Sequence, residues 1–541
     1  MLKWLGGSKS DHPMHSVKAA EKVLSELAPA DAAEALDDVC AYVESVSNAP
    51  DFKPDVRAGV LQVLDEYGRK HQEALISEYL GAARIHDLKS RERCQKAYQF
   101  WATLSAAYIQ CLEKDFAVAK GKRPANEDLV AQLVGAGVRA VASQERVRHL
   151  AYQAVDNKEV WTRLCRLYEI AESAAVEARR VRVYRTDLNT MTPTQELLQP
   201  LMLEMGAPES LAPAHVELAA RTVGMVATAF AIGRTPSAAL PFCVDLAKPG
   251  RPAQVGANPE PDARLRCFGP GTAIAKLDEL LRADDTGRAT TERGQGGEYT
   301  AWDRITVLTH LKRYWGPDRP SRRTARTRAQ GELSVLHSLD AIRTVAAQIG
   351  TDQMDEITET VKERKQELRL VPENVDLTPE TWTEKDSSDS GIGAEVPAQR
   401  GRWVKIGRLC AIKGAHYRNW WVGVIRRLDA ASGARVLAGI QVLTKTPYSM
   451  WLKKVGLEGG GGLASNWATS SGSMRYDYVD AVLLVPEAEA MARDPVLVMR
   501  PQDYKPAMIC EALMGDKPRM IKFGETIESG DDFVIVSCKW V

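Results

Sequence analysis

The sequence predicts a multidomain α+β protein, with an all-α helical domain on its amino-terminal side and an antiparallel β-barrel carrying a helical insertion on its carboxyl-terminal side. Three observations predict it. From Ser16 to about Met205, apolar residues recur three and four positions apart, the period of a helix that buries one face. After Arg402 the texture changes to short apolar runs separated by turns, the spacing of a barrel. The 541 residues are enough for roughly three or four domains at ~150 residues each.

Taken in order, Val17, Ala20, Val23, Leu24 and Leu27 form the first apolar stripe, and Leu36, Val39 and Val43 the second. Asp31 followed by Glu34 makes a capping box for the second helix, because each side chain can reach the other's free backbone amide. Pro50 and Pro54 separate it from a third helix bearing Val56, Val60, Leu64 and Tyr67. Residues 1–205 therefore read as a helical domain, either a bundle or stacked hairpins. Residues 206–318 read as a mixed α/β connecting domain: a helix over 216–231, an extended Pro/Gly-rich stretch over 235–271, and a helix over 273–281 capped by Thr272. Residues 319–541 read as the barrel domain, with inserted charged helices at about 340–370. Its strands are expected over 404–412, 420–428, 436–443, 481–485, 496–499 and 533–538. The glycine run 459–462 lacks the Lys-Ser/Thr pair of a phosphate-binding loop and reads as an inter-strand loop.

Composition narrows the function. Hydrophobic residues make up 45% of the chain, and 71 basic side chains cancel 71 acidic ones. With a pI near 7.1 no global field recruits nucleic acid or a membrane, so an anion site has to be a local cluster. No apolar run approaches the ~20 residues of a membrane-spanning helix, and residues 1–13 have no apolar stretch of the secretory kind. The nine cysteines contain no CxxC pair, so neither a metal site nor a disulfide framework is expected. A cytoplasmic location follows as the expectation. Neither HExxH nor GxSxG occurs, and His86-Asp87 has no companion ligands, so the chain is not expected to be an enzyme.

Two clusters carry chemistry. Residues 319–328 hold five arginines, among them Arg319, Arg322, Arg323 and Arg326, and no lysine. A guanidinium is planar and keeps its charge, so it can fork onto phosphate oxygens, bond the O6 and N7 edge of guanine, or stack on a purine. The second cluster is Asp386, Ser388 and Gly391 in the spacing DxSxxG. A carboxylate can accept from the N1 and N2 donors of guanine, a serine hydroxyl can serve base or phosphate, and a glycine lets a ligand approach the backbone.

Together the clusters resemble the PilZ domain, in which an RxxxR segment before a β-barrel and a [D/N]xSxxG segment on it hold cyclic di-GMP. Arg322 with Arg326 fits RxxxR, and so does Arg319 with Arg323, so both registers stay open. The paired segments 421–428 and 436–443 are similar to the family's glycine-containing strands, and the likeness covers roughly residues 312–445. The two motifs lie 60 residues apart, longer than the family's usual spacing, which an inserted helical segment accommodates. The resemblance implies a non-enzymatic receptor with cyclic di-GMP as ligand and no metal, and the helical half, which it does not cover, is expected to engage a protein partner. A ligand-free interaction scaffold and an RNA-binding barrel are the other readings of the same residues.

Overall fold

The computed structural model describes residues 12–27, 31–81, 88–116, 124–151, 158–256, 264–285, 299–317, 319–320, 326–352, 375–397, 401, 403–430, 435–455, 478–484, 494–514, 517–530 and 532–541. The chain divides into two compact units, residues 1–321 and 322–541.

The first unit contains helices α1 (Val17–Glu26), α2 (Ala32–Asn48), α3 (Pro54–Gly81), α4 (Leu88–Lys114), α5 (Glu127–Ala151), α6 (Lys158–Ser173), α7 (Pro193–Met205) and α8 (Pro213–Val226). A small antiparallel sheet follows, of β1 (Ala231–Gly233), β2 (Phe242–Asp245), β3 (Ala253–Gln254) and β4 (Leu265–Gly269) in the order β1-β4-β2-β3, and then α9 (Ala273–Asp285) and α10 (Ala301–Trp315). Asp31 caps α2 through the Ala33 amide instead of the Glu34 amide of the expected capping box, and α7 and α10 carry caps that the sequence reading did not name. Asp31 accepts from the Ala33 amide at 3.3 Å, and Leu36, Val39 and Val43 of α2 are buried. Thr192 with Gln195 and Thr300 with Asp303 form reciprocal capping boxes on α7 and α10.

Helix α5 is buried along most of its circumference and packs against α4, α6, α7 and α8, as expected of a helix apolar on more than one face. Its approach to α4 and α6 requires Gly137, where a Cβ would stand 2.8 Å from the Leu167 side chain and 3.3 Å from that of Tyr108. One hydrophobic core runs from Met14 to Trp315, so residues 206–315, expected to form a connecting domain, share the core of the helices before them.

Two polar clusters are enclosed in this core. Asp65 is fully buried and accepts from the hydroxyls of Tyr108 at 2.8 Å and Tyr184 at 3.3 Å. Burial pushes its carboxyl up to about 7, although the two tyrosines, Arg69 and Arg139 pull the other way. Glu204 shows the opposite balance. Burial alone would raise it, but the His149 hydrogen bond and the charges of His149, Arg251 and Arg148 prevail and hold it down to about 2. Ligand-type atoms of Glu145, His149 and Glu204 lie within 4.8 Å of one another. Arg148 donates to Glu145 at 2.9 Å and Arg251 pairs with Glu204, so guanidinium charge already balances the carboxylates there.

The second unit holds two closed barrels. The first is built from β5 (Thr327–His337), β6 (Glu380–Ser388), β7 (Gly391–Val396), β8 (Leu409–Gly414), β9 (Trp421–Ala430) and β10 (Val436–Thr444), closing in the order β10-β7-β6-β5-β8-β9. Helix α11 (Leu339–Asp352) is inserted between β5 and β6, the described part of the insertion expected at about 340–370. The second barrel is built from β11 (Pro447–Lys454), β12 (Tyr478–Leu484), β13 (Val496–Met499), β14 (Ile509–Met514), β15 (Lys517–Ser529) and β16 (Val534–Trp540). The single barrel expected from the sequence is thus corrected to two, and the first begins well before residue 402. The expected run 436–443 lies within β10, 496–499 coincides with β13, and the one at 404–412 starts only at Leu409. Strands β5, β6 and β15 escape a reading by apolar runs because one face of each carries polar or charged side chains, as in Glu380–Ser388 with its alternating burial.

The barrels are joined by a shared core of Leu339, Ile342 and Val345 from α11, Val422 and Val424 from β9, and Val482, Val498, Phe533 and Ile535 from the second barrel. Arg343 of α11 pairs with Asp480 at 2.7 Å. Arg426 of β9 forks onto Glu528 of β15.

Glu204→Gln leaves the cations around it uncompensated and should destabilise the helical unit by ~3 kcal/mol at neutral pH. A carboxylate held below its unfolded value contributes stability above that value and loses it as the pH falls through the folded one. The contribution of Glu204 is therefore lost between about pH 4.5 and 2, and the acid-side slope of thermal stability should be shallower in Glu204→Gln. Asp65 has the opposite sign, because its folded value is raised: it costs stability as the pH climbs from about 4 through 7. Melting curves of Asp65→Asn against pH should lack that decline.

Candidate functional site

The pleat of the first barrel decides which side chains share its outer wall, because directly paired residues lie on one face. Thr327, Ser387, Ile392, Ile440 and Ile425 form one cross-strand row, and its three isoleucines are buried, with at most 1% of their surface exposed. That row points inward at its isoleucines. The neighbouring row reads Arg328, Asp386, Gly393, Gly439 and Arg427, and the row on its other side Ser388, Gly391 and Gln441. Both therefore face outward over β6, β7 and β10, and the first continues to β5 and β9.

DxSxxG lies across the β6–β7 turn. Asp386 and Ser388 end β6, Gly391 begins β7, and the Ser388 hydroxyl donates to the Gly391 carbonyl at 3.2 Å. Arg326 stands immediately before β5, and its Nη1 donates to Asp386 Oδ1. The two side chains are 31% and 34% exposed. Gly393 makes this pairing possible, since a Cβ there would stand 2.5 Å from Asp386 Oδ1 and 3.0 Å from Arg326 Nη1. The fold thus brings Arg326, Asp386, Ser388 and Gly391 together although 60 residues separate the first two.

The other arginines are placed differently. Arg319 belongs to the helical unit, where its guanidinium lies 5.4 Å from the ring centroid of Phe242 and 5.8 Å from that of Tyr314. Arg322 and Arg323 lie outside the described residues, as do His86-Asp87 and the glycine run 459–462. Of the four candidate arginines, Arg319 and Arg326 are thus described, and Arg326 is joined to the aspartate of the second cluster.

Several residues beside this cluster were not singled out from the sequence. Gly393 and Gly439 pair directly between Asp386 and Arg427 and carry no side chain of their own, and the Arg326–Asp386 pair lies over Gly393. Lys445 lies 3.8 Å from Asp389 in the turn and over the Trp421 ring at 4.9 Å. Trp421 in turn stacks on Tyr417 with centroids 4.0 Å apart and planes 2° from parallel. The Tyr417 hydroxyl donates to Glu384 at 2.8 Å, and its pKa is raised by burial and by that carboxylate. The available signal was the period-two spacing of Gly391 and Gly393, which puts both on one face of a strand. Chemically, the cluster offers a guanidinium for an anion, a carboxylate for paired N–H donors, and bare backbone for a planar ring.

Residues 18–237 match one protein family, described as the N-terminal domain of the cyclic-di-GMP receptor FimW. The match lies in the helical unit, away from the barrels and from the segment 312–445 that resembles PilZ. It therefore supports a likeness to a cyclic di-GMP receptor without bearing on the PilZ resemblance. No curated protein matches the chain. Among the described residues, no helix is long and apolar enough to cross a membrane.

The pair Arg326–Asp386 is about a third exposed, and such pairs contribute only ~0–1 kcal/mol. Arg326→Ala and Asp386→Ala should each leave the chemical denaturation of the barrel unit within ~1 kcal/mol of the parent. A larger loss would make the pair a structural clamp.

Proposed function

We propose that the chain is a cyclic di-GMP receptor whose first barrel, a PilZ-like domain, binds the dinucleotide through Arg326, Asp386, Ser388 and Gly391. Arg322 completes the RxxxR segment with Arg326, and Arg319 with Arg323 is the alternative register of that segment. The observation that carries this reading is the closure of the two distant motifs into one cluster, Arg326 against Asp386 beside Ser388 and the Gly391 backbone. An independent part of the chain supports the same ligand, because residues 18–237 resemble a domain of a receptor named for it. The protein acts without catalysis and without a metal, in the cytoplasm. It passes the binding event to a protein partner through its helical half.

The chemistry of each group assigns its role. Arg326 exchanges the Asp386 carboxylate for a phosphate oxygen or a guanine edge, Asp386 accepts from guanine N1 and N2, and Gly391 admits the ligand to the backbone. Adenine offers no matching donor pair to Asp386, so selectivity for guanine follows. A ligand can shift the helical half only through different affinities for the states that half adopts.

Calorimetric titration of the full chain should show cyclic di-GMP binding in preference to cyclic di-AMP and GTP, with no competition from RNA. Arg326→Ala and Asp386→Ala should each weaken it roughly ten- to hundredfold, the loss of one charge-assisted bond of ~1.5–3 kcal/mol. Equal binding of both dinucleotides would refute the site assignment. Hydrogen exchange should report ligand-dependent protection over 319–328 and in the helical unit, and protection confined to 386–445 would refute the coupling.

A further inference from the structure

We infer that Arg427, with Gln441 beside it, is a second ligand-holding wall on the outer face of the first barrel, placed to take the second phosphodiester of a cyclic dinucleotide. The inference rests on the site proposed above.

The placement follows from one irregularity in β9. Between the pairs Gly439↔Arg427 and Ile440↔Ile425 the register shifts, leaving Arg426 as an extra residue. A bulge of this kind re-aims the side chains of the strand that carries it. Ile425 and Leu428 on either side are buried, at 0% and 2% exposure, so the two arginines between them face the outer wall together. Arg426 Nε donates to Gln441 at 2.8 Å while its two terminal nitrogens hold Glu528 of the second barrel. That side chain is committed to the joint between barrels. Arg427 is 43% exposed and stands 3.6 Å from Asp429, itself 22% exposed, a partly exposed pair that an anion can replace.

The wall opposite is the one already described. Arg427 sits in the same outward row as Asp386, with Gly393 and Gly439 between them. Three strand spacings of ~4.8 Å separate β6 from β9, about 14 Å in all. Two long guanidinium arms, from Arg326 and Arg427, can therefore reach towards one ligand from opposite sides across Gly393 and Gly439, once the Arg326–Asp386 pair that lies over Gly393 opens to the ligand. Gln441, exposed in the adjoining row opposite Gly391, adds an amide that can donate and accept. A ligand with one phosphate can engage only one wall. A cyclic dinucleotide carries two phosphodiesters on opposite sides of its ring and can engage both, and its flat bases suit the two glycines between.

The test is calorimetric titration of the full chain with cyclic di-GMP, using the parent, Arg326→Ala, Arg427→Ala and Arg427→Lys, with a thermal melt of each. Arg427→Ala should bind at least tenfold more weakly while melting like the parent, and Arg427→Lys should recover only part of the loss, since an ammonium keeps the charge but not the fork. If Arg326→Ala loses affinity and Arg427→Ala binds like the parent, the far wall takes no part and the inference is overturned. If the parent binds no cyclic dinucleotide, the proposed function fails first and this inference with it. Should Arg427→Ala melt early, Gln441→Ala takes its place, with a loss of affinity expected and parent-like binding overturning the inference.

Discussion

The candidate site depends on the strand register of the first barrel. Side chains alternate across a pleat, so a slip of one residue between β6 and β7 would turn Ile392 to the outside and draw the outward glycine and its aspartate neighbour towards the core. The strength of the inward row against that of the outward ones decides what holds the register. Each buried isoleucine contributes ~1.5–3 kcal/mol, and Ile392, Ile440 and Ile425 stand in one row. The Arg326–Asp386 pair is worth at most ~1 kcal/mol. The core sets the register, and the ionic groups are carried to their positions by it.

Departures from perfect pairing then do what the pleat cannot. Register shifts occur between β5 and β6 just after Arg328 and just before Asp386, between β6 and β7 just before Asp386, and in β9 at Arg426. A regular strand presents one outward residue in two, whereas the irregularity in β9 yields two adjacent arginines that divide between tasks. Arg426 ties the first barrel to Glu528 of the second, and Arg427 stays half exposed. The shared core of α11, β9 and the second barrel makes this joint more than one ion pair. The helical insertion in the first barrel thus has a packing role.

How much of this was legible in the sequence follows from which physics is local. The helices of the first unit were readable because burial repeats at the helical period and caps such as Asp31 act within a few residues. DxSxxG was readable because its residues lie within one hairpin. Three strands of the second barrel, β12, β13 and β16, were readable as apolar runs, but their closure into a separate barrel was not, since strands such as β15 alternate polar with apolar side chains and β14 and β15 pair through backbone groups that carry no sequence signature. Arg426 and Arg427 were visible as residues but not as a site, because their direction depends on a bulge that only the pairing with β10 reveals. The meeting of Arg326 with Asp386 was hidden for a similar reason, since 60 residues separate the two in the chain.

The chain carries equal numbers of basic and acidic groups, and how they are distributed explains how it can still recognise an anion. In the helical unit some of the ion pairs are enclosed. Arg139 forks onto Glu196, which is itself 2% exposed, and also reaches Asp187. Burying such groups makes breaking them expensive, ~3–5 kcal/mol for one partner removed, so no diffusible anion competes for that guanidinium. On the barrel the same pair of residue types meets water, and a carboxylate can be exchanged for a phosphate at little cost because the released aspartate is rehydrated. Asp386 then has a second use, since a carboxylate freed from Arg326 is available to the N–H edge of a base. The identical chemistry of guanidinium and carboxylate is structural where it is buried and exchangeable where it is exposed. Burial, rather than residue type or net charge, therefore separates the arginines that hold the fold from those that can hold a ligand.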